Sequence, residues 1–336
     1  MPGLSLNVRA EKLRLAAPFR ISGYTFDHSN VVVAAISDGE NIGRGEGGGA
    51  YYLGDDLEHM LGDIEAHRGQ IESGIDRAAL QQLMPPGGGR NAVDCALWEL
   101  EAAQTGKPAW ALAGIDAPRP LMTTFTLGAD EPGIMAEGAR RYGDARAIKV
   151  KLTGELELDI ARVRAIREAR PDVWLGVDAN QGFSRDQLER LIPALVDQGV
   201  GLLEQPLARG AEADLEGYRS AVPIAADESA LTLADLPGLV GRFDVVNIKL
   251  DKCGGLTEAL AMVEHARDLG LGVMVGNMVG TSLAMAPAFI VGQYCDVVDL
   301  DGPTFLMEDR APGVIYRDGY VGCPAEVWGG AGTVAA

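Results

Sequence analysis

Five stretches decide the fold: AIKVKL at 147–152, VWLGVDAN at 173–180, VGLLEQP at 200–206, VPIAADES at 222–229 and DVVNIKL at 244–250. Each is a short apolar run that stops at a charged residue: Lys151, Asp178, Glu204, Asp227 and Lys249. The intervals between these residues are 27, 26, 23 and 22 positions. That is the length of a strand, a helix and two short loops. Such an array predicts an α/β chain, a modified (β/α)8 barrel of the TIM type, in which the C-terminal strand ends carry the chemistry. Further candidate strands at 121–127, 272–275 and 296–299 make eight, with helices such as 158–170 and 256–268 between strands.

The first 118 residues read differently. SLNVRAEKLRL and HSNVVVAAISDG alternate as antiparallel strands do, and Asp38-Gly39 marks a turn. Helices are expected at 55–72 and 91–105, the second ending at Gly106. Strands followed by helices predict a small α+β domain over 1–118. The tail, 305–336, carries a hairpin with Asp318-Gly319 at its turn and is expected to return to that domain; 119–304 is then the barrel. The glycine runs at 47–49 and 87–89 lack the Lys-Ser/Thr of a phosphate-binding loop and read as mobile loops.

Composition excludes several functions. With 29 basic and 48 acidic residues, the net charge of −19 argues against a nucleic-acid partner. Cys95, Cys253, Cys295 and Cys323 form no CxxC pair and read as single thiols of a reducing compartment. The N-terminus lacks a signal-type apolar run, so a cytoplasmic location is expected. Leu269 to Gly292 is apolar but broken by Asn277, Thr281, Ser282 and Pro287, which predicts a buried strand, a loop and a helix rather than a membrane span.

Asp178, Glu204 and Asp227 end three consecutive strands, and neighbouring strands lie about 5 Å apart. Three carboxylates so close repel unless a cation joins them. Oxygen donors without histidine or cysteine point to Mg²⁺ rather than zinc. Lys149 and Lys151 are two apart on one strand, hence on one face, the barrel interior. Burial and mutual repulsion are expected to lower their pKa and make a usable base. Lys249, on the sixth strand, faces Lys151 across the barrel, an arrangement suited to moving a proton on either face of one carbon.

The succession KVK, VDAN, LEQP, ADES and NIKLDKCGG, with RNAVDCALWEL before it, resembles the enolase superfamily and its muconate-lactonizing subgroup over nearly the whole chain. Asp299-Leu-Asp301 resembles the DxD of the dipeptide epimerases within that subgroup. The resemblance implies a (β/α)7β barrel under a capping domain, and a substrate class of L-Ala-Xaa dipeptides, above all L-Ala-D/L-Glu from cell-wall peptide recycling. It implies Mg²⁺ on Asp178, Glu204 and Asp227, binding the substrate carboxylate and stabilising an enediolate. Lys151 and Lys249 would remove and return the α-proton, and Lys149 would sit beside the carboxylate oxygens. Asp299 and Asp301 would pair with the substrate ammonium, and Thr126 would touch its backbone. Glutamate-specific members carry an arginine four residues after a Pro-Phe; here Pro18-Phe19 is followed directly by Arg20. Either Arg20 or a residue of another loop would therefore receive an acidic side chain, or the second residue of the dipeptide is not glutamate. Members of this type self-associate, so a homo-oligomer is expected. Competing expectations are an N-acylamino-acid racemase, an o-succinylbenzoate synthase, a cycloisomerase, a Schiff-base aldolase and an inactive binding barrel.

Overall fold

The structure is a computed structural model that describes residues 3–21 and 24–331, without the side chains of residues 19–21 and 24. β1 (Ser5–Ile21), β2 (Tyr24–Ser37) and β3 (Ile42–Gly48) form an antiparallel sheet in that order. The turn after β2 closes where Asp38 accepts the backbone N–H groups of Glu40 and Asn41. Helices α1 (Leu57–Glu72), α2 (Arg77–Leu83), α3 (Gly88–Thr105) and α4 (Ala109–Leu112) follow. Asp56 caps α1 by accepting the His59 N–H, and α3 ends as expected at Gly106, whose φ of 64° suits glycine.

The two glycine runs are not loops. Gly45, Gly47 and Gly48 belong to β3, and Gly88 and Gly89 begin α3. A Cβ on Gly43, Gly45 or Gly47 would stand 2.0, 2.1 and 2.0 Å from the carbonyl oxygens of Ala96, Ala92 and Gly88. Every second residue of the strand thus meets every fourth residue of the helix. Glycine is required there so that the α3 backbone can lie directly on the sheet.

After the two-residue strand β4 (Leu121–Met122), eight parallel strands follow: β5 (Thr124–Leu127), β6 (Ala147–Lys151), β7 (Trp174–Asp178), β8 (Val200–Glu204), β9 (Ile224–Ala226), β10 (Val245–Ile248), β11 (Gly272–Val275) and β12 (Val297–Val298). Helices α5 (Pro132–Arg141), α6 (Leu156–Ala169), α7 (Arg185–Asp197), α8 (Leu250–Cys253), α9 (Leu256–Asp268) and α10 (Ser282–Gly292) fill the crossovers. Those after β8 and β9 hold only 3-10 segments, Glu212–Leu215 and Leu233–Leu239. They are the two shorter intervals of the repeat. The stretch 269–292 is a strand, a loop and a helix, as expected, and no helix among the described residues is long and apolar enough to cross a membrane.

The barrel interior is apolar only at its N-terminal end, where Leu202, Ala225 and Met274 pack with Trp174. Gly176 and Gly201 make room for the Trp174 ring, to which added Cβ atoms would approach within 2.8 and 2.3 Å. Charged side chains fill the layers above. Between β12 and β5 the seam is bridged by side chains. The Thr124 hydroxyl donates to Asp299, the Thr126 N–H donates to Asp301 at 2.6 Å, and the Leu300 N–H donates to the Thr123 hydroxyl.

The tail forms the hairpin β13 (Ile315–Arg317) and β14 (Tyr320–Gly322), and β14 pairs with β4. Beyond it, Trp328 Nε1 donates to the Arg44 carbonyl, and the Gly329 N–H donates to Glu99. All four cysteines are free thiols.

Candidate active site

Strand register brings the site together. Lys151 pairs with Asp178, and Asp178 with Glu204. One oxygen from each of Asp178, Glu204 and Asp227 lies within 4.8 Å of the others, and all three side chains are buried. Lys149 Nζ sits 2.7 Å from Glu204, 2.9 Å from Asp299 and 3.2 Å from Asp178. Lys151 Nζ lies 2.6 Å from Asp178 Oδ2. On the other side, Lys249 Nζ lies 2.7 Å from Asp227 Oδ2.

Several residues went unread in the sequence. Lys252 lies 2.6 Å from Asp227 Oδ1. Asn247 donates to Glu204 Oε1 at 2.8 Å, and its position two before Lys249 on one strand was a usable signal. Gln205 accepts the backbone N–H groups of Asp227 and Ser229, tying the end of β8 to that of β9. The Asn180 N–H donates to Asp178 Oδ1. Lys252 and Gln205 lie past their strand ends, where strand periodicity says nothing.

The electrostatics differ from the sequence expectation for Lys149. Burial depresses Lys149, but Asp299, Glu204, Asp178 and Asp227 together outweigh it and raise its pKa well above the ordinary value. Lys249 is likewise raised: burial opposes, and the Asp227 and Glu204 charges prevail. Mutual repulsion between lysines is the smaller effect because each is set against acids. Among the acids, burial would raise Asp178 and Asp227, but the lysines hold both below the usual carboxylate range. Glu204 is pushed up to about 8 by burial and by the neighbouring Asp178 charge.

Six buried acids (Asp178, Glu204, Asp227, Glu228, Asp299 and Asp301) stand among four buried lysines (Lys149, Lys151, Lys249 and Lys252), an excess of two negative charges when all are ionised. That excess, three convergent carboxylates and an all-oxygen donor set fit a hard divalent cation.

A cavity of about 500 Å³ opens above the cluster. Lys151, Asp227 and Lys249 line its floor, while Thr25, Tyr51 and Met60 from the first part of the chain contribute to its roof. Asp178, Glu204 and Lys149 lie beneath this floor. Asp299 is joined to the cluster through Lys149. Asp301 and Thr126 are paired with one another at the barrel seam and are not part of the cavity wall. Burial and the Asp299 charge push the Asp301 carboxyl up to about 7. The side chain of Arg20 lies outside the described residues; its backbone pairs with Thr25.

Residues 134–329 match the family described as enolase C-terminal domain-like. The chain belongs to that family. Among its relatives is the L-Ala-D/L-Glu epimerase of Escherichia coli, 38% identical over 94% of this chain and 98% of its own. An N-acetyl-D-glutamate racemase from Pseudoalteromonas is 40% identical over 76% of this chain and 81% of its own. Of solved structures, an enolase family member from Agrobacterium tumefaciens with homology to dipeptide epimerases, with bound sodium and L-Ala-L-Glu, superposes at a TM-score of 0.92; it is 41% identical, covering 97% of this chain and all (100%) of that one. A dipeptide epimerase from Enterococcus faecalis, complexed with Mg and L-Leu-L-Tyr, superposes at 0.86 with 30% identity over 93% of each chain. The expected superfamily and barrel are therefore those of this protein, and its relatives are racemases and epimerases.

Proposed function

We propose that this protein is a Mg²⁺-dependent dipeptide epimerase that inverts the α-carbon of the C-terminal residue of an L-Ala-Xaa dipeptide, with L-Ala-D/L-Glu as its foremost substrate. One observation carries this reading. Lys151 and Lys249 face a single cavity from β6 and β10, four strands apart in an eight-stranded barrel and hence on opposite sides. Asp178, Glu204 and Asp227 would hold the metal. When bound, Mg²⁺ supplies positive charge to the substrate carboxylate, which acidifies the α-proton and stabilises the charge left by its removal.

The chain's own residues do the rest. With the charge of the acids taken up by the metal they would hold, a lysine on one face would be neutral, take the α-proton and become an ammonium beside its acid. The protonated lysine on the other face delivers a proton, and the centre inverts. Lys149, enclosed by three acids, balances charge beneath the reacting carbon. Asp299 is already paired with Lys149, so Asp301 is the acid left for a substrate ammonium, which would have to reach past the cavity wall to the seam between β12 and β5. Thr126 acts through Asp301, to which it donates. Arg20 is the cation proposed for an acidic substrate side chain.

We assign the capping role to 1–118 with 305–336 and catalysis to 119–304; the contacts of Trp328 and Gly329 with Arg44 and Glu99 support the return of the tail. The resemblance further supports a cytoplasmic, self-associating enzyme of cell-wall peptide recycling.

The racemase relative favours a second reading, racemisation of N-acyl glutamate. Asp301 opposes it, because an acylated nitrogen brings no charge. Incubation in D₂O with Mg²⁺ separates the two. L-Ala-L-Glu should exchange the α-hydrogen of its glutamate and yield L-Ala-D-Glu, leaving N-acetyl-glutamate unchanged. Exchange confined to N-acetyl-glutamate would replace the epimerase reading with the racemase one.

A further inference from the structure

Lys252 is the most enclosed lysine of the site, with no exposed side-chain surface. It stands one turn beyond Lys249, where the Lys252 N–H donates to the Lys249 carbonyl at 3.0 Å. Gly254, at a φ of 81°, ends that turn, and a Cβ there would lie 2.4 Å from Arg90 Nε. The turn sets two ammonium groups on the two oxygens of one carboxylate. Lys249 takes Asp227 Oδ2 at 2.7 Å and Lys252 takes Oδ1 at 2.6 Å. Lys252 also donates to the Asp227 carbonyl at 2.6 Å and to the Asn247 carbonyl at 2.9 Å. An ammonium has three N–H donors, and all of them are taken. Lys252 is also absent from the cavity wall, so it has neither access to substrate nor a donor to offer it.

We propose that Lys252 is a positioning residue that pins the backbone and Oδ1 of Asp227, and thereby fixes where Oδ2 holds Lys249. The inference rests on the epimerase reading for the role of Lys249. Without Lys252 the Asp227 carboxylate is free to turn, and Lys249 loses its fixed partner. Lys151 is anchored separately on Asp178, so the damage falls on one face of the substrate.

The test is Lys252→Met, with L-Ala-L-Glu and L-Ala-D-Glu as separate substrates in D₂O and Mg²⁺ alone titrated by calorimetry. Exchange from one epimer should fall at least about tenfold further than from the other, and Mg²⁺ affinity should weaken about 10–100-fold, the usual effect of losing a partner behind a metal ligand. The asymmetry decides: equal losses from both epimers, or no loss, overturn the proposal. Should Lys252→Met not fold, Lys252→Gln is put through the same comparison. A wild-type enzyme that exchanges neither epimer would sink the epimerase reading instead. Lys252 is then judged on Mg²⁺ affinity alone, where a weakened value supports its role and an unchanged one overturns it.

Discussion

Lys149 and Lys151 stand two residues apart on one strand yet meet different surroundings. Lys149 is closed in by three acids, whereas Lys151 meets Asp178 and opens to the cavity. Their shared face was legible from the alternation of a strand. Their division of labour was not, because it depends on which acids other strands bring alongside. The direction of the lysine shifts was unreadable for the same reason: a sequence shows neighbouring cations but not the opposing field of four carboxylates. Lys151→Ala and Lys249→Ala should each lower epimerisation by about 10²–10⁴-fold, the range for loss of a positioned acid or base. Steady-state rates measured in both directions check this, and a variant keeping full two-way activity would contradict it.

Among the elements, β3 and α3 show where reading by composition fails. Glycine in IGRGEGG looks like loop material, yet its period of two matches a helix backbone that only the fold supplies. Gly45→Ala would press a Cβ to 2.1 Å from the Ala92 carbonyl. It should cost at least about 2 kcal/mol in denaturant unfolding, within the range for overpacking; an unchanged midpoint would contradict this packing. The same region meets the barrel through Asp251, whose Oδ1 accepts the Gly48 N–H and the Asn91 amide. Burial raises the Asp251 carboxyl to about 6. Its folded pKa therefore exceeds its unfolded one, near 3.8. The folded state holds a proton that the unfolded state has already lost, so stability falls as pH rises through that window and levels off above about 6. Asp251→Asn keeps the acceptor and removes the titration. From pH 5 to pH 8 the unfolding free energy should drop less in the variant than in the wild type, by about 1.4 kcal/mol. Equal drops would contradict the assignment.

For the whole molecule, the repeat of charged strand ends was enough to give the barrel, the three convergent carboxylates and the opposed lysines, because a charged residue at the end of each successive strand maps directly onto one rim. The cavity roof was less legible, since Tyr51 and Met60 arrive from the first part of the chain with no periodic signal. The seam between β12 and β5 was hidden too, since Asp299 and Asp301 bridge it with side chains that a sequence reads only as loop acids. What the assembled molecule adds is opposition: two amines on one cavity, each against an acid of the same cluster. The most direct measurement of that is the isotope content of the first product formed in D₂O from protiated L-Ala-L-Glu. Inversion by two bases predicts that L-Ala-D-Glu carries deuterium at the glutamate α-carbon from the first turnover, while unreacted substrate is still protiated. Product that retains the substrate's own hydrogen would mean one group serves both faces, and would contradict the roles given to Lys151 and Lys249.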